Sequence, residues 1–187
     1  MEFDYIIIGA GSAGCVLANH LSSDARNRVL LIEAGRDTGA LSLKMPAAVL
    51  SNLTSTTHNW AFQGEPEPGL DGRVIQHDRG KTIGGSSSIN GMVFIRGHAL
   101  DYDGWQQAGC PGWGYADVLP YFKRSETWKG ETSDPDMRGD DGPLAVSPTG
   151  LKRDIVDKWI SAAVAAGYRE TADYNGADQE GVGYFQL

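Results

Sequence analysis

Tyr5-Ile6-Ile7-Ile8 is an unbroken β-branched and aromatic run closed by Gly9. A run with no polar alternation predicts a strand buried on both faces in a parallel sheet. From Ala13 to Leu21 the apolar positions Ala13, Val16, Leu17, Ala18 and Leu21 recur at spacings of three and four, and Ser22, Ser23 and Asp24 then break the pattern. That periodicity predicts a helix. Val29 to Ile32 reads as a second buried strand. Strand, helix and strand within about 30 residues form a βαβ unit, whose crossover is right-handed in nearly all proteins.

The pattern loosens after Gly35. Gly, Pro, Ser, Thr and Asn scattered from Asp37 to Gly72 predict loop around short elements, Arg73 to His77 a short strand, and Gly80 to Ser88 a second turn rich in glycine and serine. Tyr115 to Ser125 has helical periodicity interrupted by Pro120. Because an interior proline loses an amide and clashes with the preceding turn, two short helices are expected, the second starting at Pro120. Lys129 to Gly142 reads as a linker or exposed loop and Pro143 to Ser147 as a strand. The stripe Ile155, Trp159, Ile160, Ala163, Val164 and Ala166 reads as a helix capped by Gly167. The composition shift near Gly142 divides the chain into 1–140 and 141–187. The apolar-rich stretch Gly183 to Leu187 reads as a strand that leaves an open edge, as in a truncated chain.

Chemistry enters at the first turn. Gly9-Ala10-Gly11-Ser12-Ala13-Gly14 matches G-x-G-x-x-G directly after a strand and at the start of a helix, the setting of a dinucleotide-binding fingerprint in a Rossmann-like α/β fold. Gly9 permits the tight turn, Gly11 admits a pyrophosphate to the backbone, and Gly14 lets the helix pack close to the sheet. The helix N-terminus offers unpaired amides and partial positive charge. Glu33 ends the second strand 33 − 14 = 19 residues past the last glycine, near the spacing of about 20 expected for the acid that holds the adenosine ribose. The fingerprint does not separate FAD from NAD. The second turn, with its small residues, amides and hydroxyls, suits close approach to a further part of a large cofactor. Ser86 is no nucleophile elbow, because G-x-S-x-G requires glycine where Ser88 stands.

Composition narrows the partners. The chain has 187 residues, 41% hydrophobic and 21% charged, enough for one domain and a fraction. Its 16 basic against 24 acidic residues leave a net charge of −8, which disfavours nucleic acid and anionic membrane. Cys15 and Cys110 are too few for a disulfide framework and lack metal-ligand spacing, so a reducing compartment is expected. The N-terminus has neither a signal peptide pattern nor a membrane-spanning run. The expected protein is cytoplasmic, without an integral membrane segment.

GAGSAG at Gly9 to Gly14, LIEAG at Leu31 to Gly35 and GKTIGGSSSINGMVFIRGHALDYDGW at Gly80 to Trp105 resemble the glucose-methanol-choline oxidoreductases, which are FAD-dependent alcohol oxidoreductases. The resemblance continues through GWGYADVLPYFKRSE at Gly112 to Glu126, DGPLAVS at Asp141 to Ser147 and EGVGYFQ at Glu180 to Gln186. It is strongest to the bacterial branch containing choline dehydrogenase. The resemblance implies an FAD-binding domain followed by the start of an α+β substrate-binding domain. It implies that Gly9, Gly11, Ser12, Ala13 and Gly14 hold the FAD pyrophosphate, and that Glu33, with Ala34 beside it, holds the adenosine ribose. Ile83 and Gly84 would line the cofactor, and Asn90, Gly91, Met92 and Val93 would pass beside the flavin ring. Where some members carry a histidine tethered to flavin this chain has Ile89, so FAD is expected to be non-covalent.

The resemblance further implies a small-molecule alcohol substrate, and oxygen or a quinone as electron acceptor. Peripheral membrane association of a full-length enzyme stays open. The family's catalytic pair, a histidine base with a second His or Asn, lies in a C-terminal segment that this chain does not match, and His20, His58, His77 and His98 lie in no matching motif. No catalytic residue or metal ligand is therefore expected among these 187 positions. The competing readings are an NAD-dependent oxidoreductase and a non-catalytic dinucleotide-binding module. For Trp60, core packing is weighed above approach to the cofactor, and Cys15 is read as a small buried hydrophobe.

Overall fold

The computed structural model describes residues 2–36, 39–131 and 134–187. Asp37, where the expected loop begins, and residues 132–133 of the expected linker lie outside the described residues. The chain forms two compact units, one ending at Met92 and one spanning Val93–Leu187.

The first unit is built on β1 (Tyr5–Ile8), α1 (Ser12–Ser22) and β2 (Val29–Ile32). The strands pair in parallel with Ile7 opposite Leu31, the βαβ unit expected from the pattern. The expectation of burial on both faces is corrected: only Ile7 of β1 is buried, while Ile6 and Ile8 are 60% and 86% exposed. Successive side chains of a strand point to opposite faces. α1 covers the face that carries Ile7, and among the described residues nothing covers the other. The helix approaches through Gly14, Cys15, Ala18 and Leu21, whereas Val16 and Leu17 of the expected stripe point outward.

After β2 come α2 (Leu41–Lys44) and α3 (Val49–Leu53). The two-residue strands β3 (Phe62–Gln63) and β4 (Gln76–His77) pair antiparallel, so only the end of the expected 73–77 strand is regular. Buried Asn59 organises this region. Its amide donates to the Leu53 carbonyl (2.6 Å) and Asp78 Oδ1 (2.7 Å), and its Oδ1 accepts from the Ala61 and Arg79 amides.

The second unit contains α4 (Ala99–Gln107), α5 (Tyr115–Ser125), β5 (Glu126–Trp128), β6 (Leu144–Val146) and α6 (Asp154–Ala165). α5 is one helix with Pro120 inside it, not the expected pair. Pro120 and Ala116 are both exposed, so the ring faces outward and the carbonyl that loses its amide partner stands in water. α6 ends as expected before Gly167, whose φ of +97° is left-handed.

The expected linker is not uniformly solvated, since Arg138 and Gly139 are buried. The composition shift at Gly142 lies between β5 and β6, which pair in parallel. The expected open edge at the chain end is also corrected. Ser147 and Leu187 exchange backbone bonds of 2.8 and 2.9 Å, and the Gln186 carbonyl accepts from the Phe94 amide at 2.9 Å. The extended end segment is thus paired on both sides.

The interior of the second unit is ionic. Glu126, fully buried, accepts from Arg96 Nη2 (2.9 Å) and Arg138 Nε (2.8 Å). Arg138 also donates to Asp173 Oδ1 (2.8 Å) and Gln186 Oε1 (3.0 Å) and stacks 3.9 Å over Trp128. Tyr174 donates to the Phe94 carbonyl (2.9 Å) and accepts from the Gln186 amide (2.6 Å). The matching motifs around Arg96, Glu126 and Gln186 thus meet in one hydrogen-bonded cluster. Two guanidinium groups face two carboxylates, so the cluster carries no net charge.

Candidate cofactor-binding site

The first unit brings three segments together: the turn 9–14, the end of β2 at 33–36, and the second turn 80–90. Gly9 has φ +92° and its amide extends the parallel ladder to the Ile32 carbonyl at 2.7 Å. A β-carbon on Gly14 would lie 1.9 Å from the Gly9 carbonyl oxygen and 3.4 Å from Ile7 Cγ2. Any side chain there would force α1 off the strand, the packing role that the motif assigns to its third glycine. A β-carbon on Gly11 would meet nothing within 4 Å, so the surface in front of this residue is open. The N-terminus of α1 has no side-chain cap and no acidic residue in its first turn. It leaves amides and partial positive charge for an anion.

Ala10 is fully buried at the centre of the arrangement. Its amide donates to Glu33 Oε2 at 2.7 Å, while its carbonyl accepts from the Gly84 amide at 2.7 Å and from the Cys15 thiol at 3.3 Å. The second carboxylate oxygen of Glu33 accepts from the Gly35 amide at 2.7 Å. Glu33 therefore clasps the fingerprint turn to the end of β2, using one lone pair on each oxygen and leaving the others for hydroxyl donors. Cys15 is half-buried with a partner for its thiol, not a plain hydrophobe.

The second turn locks onto the first by close backbone approach. Gly11 and Gly84 form a parallel bridge, and a β-carbon on Gly85 would lie 2.9 Å from Gly11 Cα. Gly84 and Gly85 take φ of +89° and +58°, open to glycine without cost. A β-carbon on Gly35 would lie 2.1 Å from the Lys81 carbonyl. Thr82, fully buried, donates its hydroxyl to the Arg36 carbonyl at 2.8 Å. Ser86 Oγ accepts from the Gly80 amide, and Ser87 and Ser88 donate to the Gly84 and Ile83 carbonyls, so these hydroxyls shape the turn. Ile83, Asn90, Gly91 and Met92 are exposed and Ile89 is 2% exposed. Met92 has φ +62°, held by its amide bond to Asn90 Oδ1 at 3.0 Å. A cavity of about 110 Å³ lies between this turn and residues of α2 and α3, lined by Met45, Asn52, Ser88, Asn90 and Met92 among others.

Of the predicted residues, Gly9, Gly11, Ser12, Ala13, Gly14, Glu33, Ala34, Ile83, Gly84 and Asn90 lie on these three segments of the first unit, Gly91 and Met92 directly follow the third within that unit, and Val93 opens the second. Ala10 and Thr82 were missed. Ala10 occupies an "x" of the fingerprint, and no spacing rule marks Thr82. Trp60, assigned to the core, is instead 41% exposed, stacked on Phe62 with the Lys81 ammonium 4.3 Å from its ring. His98 is the N-cap of α4: its Nδ1 accepts from the Leu100 amide while the His98 backbone amide donates to Asp101 Oδ2, a capping box. Among the described residues no cluster of His, Cys, Asp or Glu suits a metal, and no helix is long and apolar enough to cross a membrane.

Comparison with known proteins identifies the family and the fold. Oxygen-dependent choline dehydrogenases from Sinorhizobium fredii and Vibrio vulnificus are 50% and 48% identical, over 100% and 97% of this chain but 34% and 32% of their own lengths. The chain thus spans about a third of the curated relatives it matches. Among solved structures, pyridoxine 4-oxidase from Mesorbium loti superposes with a TM-score of 0.92 at 32% identity, over the whole chain and 36% of that protein. An FAD-dependent oxidoreductase from Chaetomium thermophilum gives 0.86 at 30% identity, covering 99% of this chain and 33% of its own. The GMC oxidoreductase family profile matches residues 3–187, and the chain belongs to that family.

Proposed function

We propose that this chain binds FAD non-covalently and forms the cofactor-holding part of an enzyme that oxidises a small alcohol, with choline or a related primary alcohol as the substrate class. The supporting observation is the interlock of the two glycine turns: Gly84 bonds Ala10 while the space before Gly11 stays open. A dinucleotide pyrophosphate fits an uncapped helix N-terminus reached over a residue without a β-carbon. In this reading Gly9, Gly11, Ser12, Ala13 and Gly14 surround the pyrophosphate. Glu33, followed by Ala34, receives ribose hydroxyls on its remaining lone pairs. Ile83 and Gly84 line the cofactor, and Asn90, Gly91, Met92 and Val93 border the flavin. Ile89 is a buried hydrocarbon, which offers no atom for a flavin tether.

FAD, when bound, supplies the acceptor for the hydride of the alcohol carbon. The residues of this chain bind and orient it. We assign the proton acceptor to residues outside these 187, since His98 is committed to its cap. Residues 1–140 then belong to the FAD-binding part and 141–187 open the substrate-binding part. Oxygen or a quinone takes the electrons, and the net charge of −8 with two free cysteines suits the cytoplasm.

Titration of the purified chain with FAD, followed by quenching of flavin fluorescence, tests the reading. Binding is expected, and Glu33→Gln should weaken it by about 1–3 kcal/mol, because a side-chain amide group then faces a backbone donor. A chain that ignores FAD and binds NAD overturns the proposal.

A further inference from the structure

The chain contains two Asn-Gly pairs, Asn90-Gly91 and Asn175-Gly176, and the structure treats them in opposite ways. Conversion of asparagine to an acid begins when the backbone nitrogen of the next residue attacks the side-chain carbonyl carbon. The step needs a free nucleophilic N–H, an accessible carbonyl carbon, an amide able to leave, and no β-carbon crowding the ring. Glycine meets the last condition at both pairs.

At Asn90 the other three conditions also hold. The residue is exposed. Its Oδ1 accepts from the Met92 amide at 3.0 Å, which fixes the side chain back against its own backbone and polarises the carbonyl. Among the described residues neither Asn90 Nδ2 nor the Gly91 N–H has a hydrogen-bond partner. At Asn175 each is blocked. The residue is 2% exposed, and its Nδ2 donates to the Phe94 carbonyl (3.2 Å) and Gln186 Oε1 (2.7 Å). Its Oδ1 accepts from the Arg96 amide at 2.8 Å. The nucleophile is engaged as well, since the Gly176 N–H donates to the Asp173 carbonyl at 3.2 Å.

We propose that Asn90-Gly91 is a site of spontaneous deamidation in the cofactor-free protein. The Gly91 nitrogen bonds to Asn90 Cγ, the Cγ–Nδ2 bond breaks, and ammonia leaves with the proton given up by the Gly91 amide. Water then opens the cyclic imide at either carbonyl, which yields aspartate or isoaspartate at position 90. Neither step needs an oxidant or a metal. The product places a negative charge in the second turn, and the isoaspartyl form lengthens the backbone by one carbon just before Met92, whose left-handed conformation depends on the Asn90 bond. The inference concerns the chain's own chemistry and does not rest on the FAD reading.

The test incubates the cofactor-free chain in mildly alkaline buffer and follows the mass gain of each Asn-Gly peptide after proteolysis. Asn90 should convert at least about tenfold faster than Asn175, which must await local opening. The urea-denatured chain should convert both sites at similar rates, which assigns the difference to structure and not to neighbouring sequence. Gly91→Ala should slow conversion at position 90 and leave Asn175 unchanged. Equal native rates at the two sites, or an Asn90 that persists in the native chain after both sites have converted in the denatured one, overturns the proposal.

Discussion

The two units hold themselves together by opposite means. The first joins backbone to backbone: glycines 14, 35 and 85 remove β-carbons where segments touch, and one carboxylate, Glu33, ties two amides. Its apolar side chains are left largely outside, with Ile6, Ile8, Val16 and Leu17 all more than half exposed. The second unit joins side chain to side chain through Arg96, Glu126, Arg138, Asp173 and Gln186 inside the fold. The lesson is about tolerance. Adding an atom to the first unit's backbone contacts at Gly14, Gly35 or Gly85 is disruptive, whereas in the second unit's interior the costly change is to remove one partner from the buried ionic cluster.

The largest effect should come from Glu126→Ala, which leaves two buried guanidinium groups facing each other without their shared acceptor. A loss of about 3–5 kcal/mol is expected, read from urea unfolding with amide exchange to confirm that the second unit opens first. A loss under about 1 kcal/mol, the worth of an exposed pair, would break the comparison. Next is Gly14→Ala, expected to cost about 1–3 kcal/mol through overpacking against Gly9, with exchange rates rising in β1 and α1 alone. A neutral result would mean that the helix-to-strand approach is softer than the contact distance implies.

The smallest effect is a dependence on pH. Burial, opposed by the Gln186 amide bond, raises the Tyr174 phenol above its ordinary value of 10.0. A raised folded value means the proton is held more tightly in the native state. The stabilisation is therefore complete below pH 10 and is lost as pH rises through the folded value. Stability of the second unit should fall in that alkaline window, and Tyr174→Phe should remove this part of the slope.

Legibility divides along the same line. The βαβ unit could be read because its signals are local: unbroken apolar runs, glycines at fixed offsets, and an acid at the strand end. The burial expected of β1 did not follow, since covering a sheet face depends on what packs there and not on the strand's own residues. The ionic cluster left no trace, because Arg96 and Glu126 are 30 residues apart and Arg138 and Gln186 are 48 apart, far beyond any helical or strand period. The expected break of α5 at Pro120 does not occur, because the rule against interior proline assumes that the lost bond matters equally on every face. Pro120 faces water, where it matters least. The helix α4 was missed for a related reason: its cap is a histidine in place of the usual serine, threonine or aspartate.

The Glu33 clasp has a consequence for rates. Because the chain's own carboxylate already fixes the Ala10 and Gly35 amides, under the proposed function a dinucleotide reaching this turn meets a loop whose backbone freedom was lost during folding. Association then waits on diffusion and orientation, and not on ordering of the loop. Differences in affinity among ligands or variants that keep the clasp should appear in how slowly the ligand leaves.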